Sequence, residues 1–350
     1  NSFFLNKDEY KILVTGATGL VGSYVVRTLL ANGFNDVSII TREGSSLTLL
    51  ADAFHKVTNY HTDLNDILGL EDAIIGKTHV IHCGALVSFD SRDRRALIKT
   101  NVEGTANIVN LSLEYGVKRL IHMSSIAALG RNSQSGGFTD EYTKYESNPA
   151  NSYYSITKHM AELEVWRGKV EGLDVKVLLP GLILGSGYWN TGTNGFFNHV
   201  RRGSPFYPAG TNGFVDVRDV AEFAVRMLDY QGEEEKFLMI GDNIPYKTFL
   251  EKIAQHIHKK APHIVAKKWT LGLAWRLDRL RTLITGGRPM LTKETAITSS
   301  KTFLFDNTRS LAVGGFQYTP IDESIRDIAE QFLEASNHNF NPSFLNVHTL

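Results

Sequence analysis

Three glycines spaced G-x-x-G-x-x-G, at Gly16, Gly19 and Gly22, follow a short apolar run at 11–15 and open an amphipathic stretch at 20–30. A strand that turns this sharply into a helix needs a residue able to take a left-handed conformation, which Gly16 supplies. Gly19 removes a Cβ where an anion would approach the backbone, and Gly22 lets the helix pack close to the strand. Unpaired N–H groups at the start of the helix then face the anion. The turn therefore predicts a β-α unit with a phosphate site built from Gly16, Thr18, Gly19, Leu20 and Val21.

The first half of the chain repeats this alternation. Apolar runs at 37–41, 56–60, 78–82, 118–123 and 174–179 read as strands, and the stretches 66–75, 92–115 and 151–171 read as helices. Near-continuous apolar strands separated by helices predict a parallel sheet covered on both faces. Right-handed crossovers wind it into a doubly wound α/β sheet of the Rossmann kind, with its crevice at the carboxyl ends of the strands. After Pro180 the texture changes to Gly, Asn and aromatic residues. Segments 214–217 and 236–240 look like a return to the main sheet, around a helix at 218–230. Residues 1–180 and about 213–240 are expected to form the cofactor domain. Residues 181–212 and about 241–336 are expected as a smaller, interleaved substrate region, and 337–350 as a polar tail.

Charge is balanced, with 37 basic and 37 acidic side chains, so no electrostatic case exists for nucleic acid or an anionic membrane. A single cysteine, Cys83, cannot support a disulfide framework or a cysteine zinc site. His256 and His258 fall on different helix faces, so no metal site is expected. Residues 1–10 lack the pattern of a signal peptide, and no apolar run approaches the ~18–20 residues of a membrane span. The expectation is a cytoplasmic enzyme acting on a small molecule.

Tyr154 and Lys158 stand at i and i+4 on one face of the 151–171 helix. A phenol with pKa near 10 is only about 0.1% ionised at neutral pH. Bringing it to about 7 needs roughly 4 kcal/mol, which a neighbouring ammonium and a positive nicotinamide ring are expected to supply. With the glycine turn upstream, this pair predicts a nicotinamide-dependent enzyme. Tyr154 is its acid/base, and Lys158 tunes the tyrosine and holds the nicotinamide ribose. Ser124-Ser125 closes the fifth strand at its carboxyl end. One serine is expected to donate to the developing oxyanion and the other to cap backbone. At the end of strand two, Arg42 favours NADP through its 2′-phosphate, while Glu43 keeps NAD open. Asp63, after strand three, is placed to accept from the adenine amino group.

These segments together resemble the extended short-chain dehydrogenase/reductase family, in its epimerase/dehydratase-like branch. The resemblance rests on TGATGLVG at 15–22, HTDL at 61–64, VIHCGA at 80–85, NVEGTANIV at 101–109, IHMSS at 121–125, YYSITK at 153–158, LPGLILGSG at 179–187 and FVDVRDVA at 214–221. It implies that Ser125, Tyr154 and Lys158 are catalytic. It further implies that Asp63, Leu64, Cys83, Gly84, Ala85, Ser124 and Pro180 line the cofactor, and that Asn101 is structural. It also implies a homodimer through the helices 92–115 and 151–171. Ser125 is followed by Ile126-Ala127, not by the Asp-Glu pair of the sugar dehydratases, and Leu182 stands where sugar-nucleotide epimerases carry Asn. The pattern is nearer to the dihydroflavonol reductase and 3β-hydroxysteroid dehydrogenase group. An NAD(P)-dependent interconversion of ketone and secondary alcohol on an apolar skeleton is therefore expected, with NADP preferred. The alternatives are an NAD-retaining nucleotide-sugar epimerase, using Arg201, Arg202, Arg218 and Arg288 for a diphosphate, and a non-catalytic NADP(H) sensor. The expected apolar pocket wall is Leu182, Leu184, Tyr188, Trp189, Phe196, Phe197, Phe206 and Tyr207, and residues 269–284 are expected as a lid or a core helix.

Overall fold

The computed structural model describes residues 7–130, 137–147, 151–267 and 298–350, with isolated positions between 268 and 297. The lid candidate at 269–284 lies largely outside the described residues, and Arg288 lies wholly outside them.

Seven parallel strands form the main sheet. They are β1 (Lys11–Thr15), β2 (Asp36–Thr41), β3 (Thr58–His61), β4 (His79–His82), β5 (Arg119–Met123), β7 (Asp174–Pro180) and β11 (Lys236–Met239), in the order β11-β7-β5-β4-β1-β2-β3. The first three strands step outward from β1 in one direction and the rest in the other. The switch point therefore lies between β1 and β4, where doubly wound sheets open their crevice. The central strands are buried on both faces, which is why their sequence runs apolar instead of alternating.

Helices α1 (Leu20–Ala31), α2 (Ile67–Ile74), α4 (Gly104–Glu114), α5 (Tyr153–Val170) and α7 (Val217–Arg226) cover the sheet. The expected helix 92–115 is present as one continuous helical run that changes its winding: a 3-10 turn over Ser91–Asp93 leads into α3 (Arg94–Leu97), then a π turn over Ile98–Glu103 that continues as α4. Wide turns of this kind recur at functional sites, and this one carries Asn101.

The expectation that 214–217 returns to the main sheet is corrected. It belongs to β10 (Thr211–Asp216), which pairs with β8 (Leu182–Leu184) and β12 (Asp242–Pro245) in a separate three-stranded sheet. Only the 236–240 segment joins the main sheet, as β11. Short pairs β6 (Phe138–Thr139) with β14 (Leu304–Phe305) and β9 (Phe206–Pro208) with β13 (Ile264–Ala266) complete the strands. Helices α6 (Asn194–Arg201), α8 (Tyr246–His256), α9 (Thr308–Leu311) and α10 (Ile321–Ser336) complete the described helices.

Residues 337–350 are not a free tail. Leu345 is 5% exposed and its N–H donates to the Tyr24 hydroxyl at 2.7 Å. The Leu350 N–H donates to Asn32 Oδ1 at 2.6 Å, and Trp189 Nε1 donates to the Asn341 carbonyl at 3.0 Å. The Arg27 guanidinium stacks 3.3 Å over Phe344. Overall polarity hid the apolar residues Phe340, Phe344, Leu345, Val347 and Leu350, which are spaced to pack along α1 and α10.

Candidate active site

The glycine turn is built as its spacing requires. Gly16 has φ +68°, and a Cβ there would stand 2.7 Å from the Cys83 and Gly84 backbone. A Cβ on Gly22 would meet the Gly16 carbonyl oxygen at 2.2 Å, so α1 lies directly against the turn. Gly19 is the N-cap of α1; no side chain caps the helix and its first turn holds no acid. The leading amides and the helix dipole are thus left for an anion.

The β4 end that touches Gly16 is held by a buried chain of polar groups. Thr15 Oγ1 meets His82 Nδ1 at 2.6 Å and accepts from the Gly84 N–H at 3.1 Å, while His82 Nε2 meets Thr105 Oγ1 at 3.0 Å. Burial pushes His82 down to about 3, so its ring is neutral. Asn101 is also placed structurally: its Oδ1 accepts from Leu86 N at 2.7 Å, and its Nδ2 donates to the Leu86 carbonyl at 3.0 Å and Thr157 Oγ1 at 3.2 Å. The segment Cys83-Gly84-Ala85 is thereby fixed between the turn and α5.

Ser125, Tyr154 and Lys158 converge at the carboxyl end of β5. Ser152 caps α5 by accepting from Ser155 N at 2.9 Å, which aims Tyr154 and Lys158 back at the sheet. Ser125 Oγ accepts from Ala127 N at 3.1 Å and lies within hydrogen-bonding reach of the Tyr154 phenol. That acceptance occupies a lone pair of the serine and leaves its O–H free to donate. Lys158, 2% exposed, donates from Nζ to the Met123 carbonyl at 2.8 Å. Burial pushes the lysine down to about 8, with Glu162 opposing.

One expectation changes here: Ser124 does not cap backbone; its Oγ donates to Glu162 Oε2 at 3.0 Å. Burial raises the Tyr154 phenol, and its hydrogen bond with Ser125 lowers it.

At the carboxyl ends of β2 and β3 a cavity of about 520 Å³ is lined by Thr41, Arg42, Glu43, His61, Thr62, Asp63 and Asp66, among others. Arg42 and Asp63, taken from the sequence as the 2′-phosphate and adenine contacts, thus share one cavity. Asp63 Oδ1 also accepts from Asn65 N at 2.6 Å. Asp66 caps α2: its Oδ1 accepts from Gly69 N at 3.3 Å. Leu64 is buried between Gly84 and Gly104.

A family model, the NAD dependent epimerase/dehydratase family, matches residues 12–241. The chain belongs to that family. Sterol demethylase protein B of Methylococcus capsulatus is 33% identical over 77% of this chain and 81% of its own length. Cinnamoyl-CoA reductase 1 of Oryza sativa is 26% identical over 92% and 90%. The crystal structure of gox2253 superposes with a TM-score of 0.79 at 28% identity, covering 94% of this chain and 98% of its own. This family member is an NAD(P)-dependent enzyme of the extended short-chain dehydrogenase/reductase type. Its uncapped α1 and the cavity beyond β2 fit a dinucleotide. Gly16, Thr18, Gly19, Leu20 and Val21 would hold the pyrophosphate, and Lys158, Cys83, Gly84, Ala85 and Pro180 are the residues that would line the nicotinamide end.

The expected pocket wall of the enzyme is largely core. Leu184, Trp189 and Phe197 are each 1% exposed and pack into the main cluster, with Leu182, Phe196 and Tyr207 against it. The apolar surface beside Tyr154 comes instead from the loop after β4. Val87 and Phe89 are 62% and 42% exposed, and the Phe89 ring stands edge-on to Tyr154 at 5.6 Å. Sequence reading missed them because nothing local places that loop against α5. Arg218 does not await a diphosphate: Asp216 Oδ2 binds it at 2.7 Å and Asp327 at 2.9 Å. Arg201 stacks on Phe340. Among the described residues no group of three His, Cys, Asp or Glu is placed to hold a metal, and no helix is long and apolar enough to cross a membrane.

Proposed function

We propose that this enzyme interconverts a ketone and a secondary alcohol on a largely apolar small molecule, with NADP as its preferred cofactor. The observation that carries the reading is Tyr154, set within reach of Ser125 and edge-on to the exposed Phe89. Ile126-Ala127 after Ser125 supplies no second acid or base for water elimination. The names of two relatives, a sterol demethylase protein and a cinnamoyl-CoA reductase, support an apolar substrate. Arg42, exposed at the cavity mouth, supports NADP.

A bound nicotinamide dinucleotide supplies or accepts the hydride. In reduction, the Ser125 O–H donates to the carbonyl oxygen and orients it. As the C–H bond forms, the C=O π pair moves to oxygen, and Tyr154 transfers its phenolic proton there. The product is the alcohol, and the phenolate is reprotonated from solvent. Oxidation runs these proton steps backward and requires the phenolate.

The test is Tyr154→Phe, assayed with 4-deuterated NADPH against a panel of alicyclic and aryl ketones, with UDP-sugars alongside. Loss of about 100- to 10,000-fold in kcat/KM with unchanged cofactor affinity is expected. Deuterium transfer retained by the variant refutes the tyrosine's role. UDP-sugar interconversion without NADPH turnover refutes the ketone reading.

A further inference from the structure

Three successive residues at the end of β5 each hold a different partner on α5. The Met123 carbonyl accepts from Lys158 Nζ, Ser124 Oγ donates to Glu162 Oε2, and Ser125 reaches Tyr154. Glu162 stands one helical turn beyond Lys158 and is 3% exposed. Its Oε1 accepts from Trp166 Nε1 at 3.1 Å and is also ion-paired with Lys236 on β11. The carboxylate is thus fully engaged and cannot swing away.

We propose that Glu162 is a positioning residue for the catalytic group: through Ser124 it fixes the Met123–Ser125 segment that anchors Lys158 and meets Tyr154, and its charge keeps the buried Lys158 an ammonium. The proposal rests on the reading of Ser125, Tyr154 and Lys158 as the catalytic group.

The surroundings of Lys158 leave few other sources of negative charge. From the β4 side come His82, pushed down to about 3, and the Cys83 thiol, pushed up to about 12. From β5 comes His122, held well below its ordinary range by burial. Tyr154 on α5 is raised. All four are neutral near pH 7, so Glu162 is the anion among the groups acting on the lysine. Lys236 is the cation that shares Glu162 from the sheet side. Burial lowers Lys158 and Glu162 is the largest influence resisting it. A neutral lysine would bring no positive charge to the site.

The experiment compares Glu162→Gln, Glu162→Asp and Ser124→Ala in the full chain with cofactor present. Lys158 ionisation is followed by NMR of [13Cε]lysine-labelled protein, the resonance being assigned by its loss in Lys158→Arg. Glu162→Gln keeps an acceptor for Ser124 but removes the charge. It is expected to move the Lys158 titration, and the high-pH limb of kcat/KM, down by about one pH unit or more. Glu162→Asp is expected to restore most of the shift. Ser124→Ala keeps the charge, so it is expected to lower kcat severalfold while leaving the lysine titration in place, and it serves equally if Glu162→Gln does not fold. An unmoved Lys158 titration in folded Glu162→Gln, or unchanged kcat in Ser124→Ala, overturns the proposal. A shifted titration in a protein that reduces no ketone overturns the proposed reaction and leaves the role of Glu162 standing.

Discussion

On the proposed reading, Arg42→Ala weakens NADP binding and spares NAD. Arg42 directly follows β2, and its exposed side chain borders the cavity shared with Glu43 and Asp63. Its backbone is held in place: Thr41 Oγ1 donates to Asn59 Oδ1 at 3.0 Å, and Ser45 N donates to the Arg42 carbonyl at 3.1 Å. Truncating the side chain therefore removes a charge without loosening the strand end. A unit charge pair at 4 Å interacts by about 1 kcal/mol in water and about 4 kcal/mol at an effective dielectric of 20. Exposure puts Arg42 near the first limit, and a phosphate monoester carries nearly two charges. The expected loss is about 1.5–2 kcal/mol, roughly 10- to 30-fold in Kd for NADP. Glu43→Gln removes a like charge from the same mouth and is expected to tighten NADP by a few fold. Fluorescence titration of NADPH and NADH gives both constants, and the difference is expected to shrink at high salt as the Debye length shortens. Equal changes for both cofactors, or none, refute a 2′-phosphate contact at Arg42.

Two further outcomes follow from the geometry. Gly19→Ala places a Cβ 3.3 Å from the Gly16 carbonyl oxygen, whereas Gly22→Ala places one at 2.2 Å from it. The first is expected to keep the melting temperature and lose cofactor affinity, and the second to lose about 1–3 kcal/mol of stability as α1 is forced off the turn; calorimetry and cofactor titration separate them, and a Gly22→Ala variant as stable as the parent refutes the packing argument. His348 is raised by its hydrogen bond to Glu222 at 2.9 Å and by buried Asp219. A raised folded-state pKa gives stability that is complete below 6.5 and lost as pH climbs through the folded value. His348→Ala is thus expected to lower the melting temperature at pH 6 by about 1–2 °C, the partly exposed histidine contributing about 1 kcal/mol; an unchanged melting temperature at pH 6 refutes docking of the C-terminal segment through this histidine.

What the sequence revealed and what it hid divide by range. Gly16, Gly19 and Gly22 act within one turn, and Tyr154 and Lys158 within one helix face, so spacing alone exposes them. Apolar strand runs likewise announce a parallel sheet, because each strand is buried on both faces wherever it sits. The identity of a strand's neighbour is different information: 214–217 reads as a main-sheet strand, yet β10 pairs with β8 and β12. The same holds for side chains whose partners lie far along the chain, such as Ser124 with Glu162, 38 residues away, or Leu345 with Tyr24, 321 away.

The structure adds to Tyr154 and Lys158 a partner with no side-chain signature, the Met123 carbonyl. An i, i+4 spacing brings the two residues to one face, but it does not say where the ammonium points. The Met123 carbonyl takes Nζ at 2.8 Å, and burial then dominates both partners, raising the phenol and lowering the lysine. Since a backbone carbonyl is present at every residue, sequence cannot single this one out. The carboxylate that answers the lysine's burial can be found from sequence in retrospect. Glu162 repeats the four-residue step from Tyr154 to Lys158 once more, so a third polar residue on an otherwise buried helix face is the signal to look for.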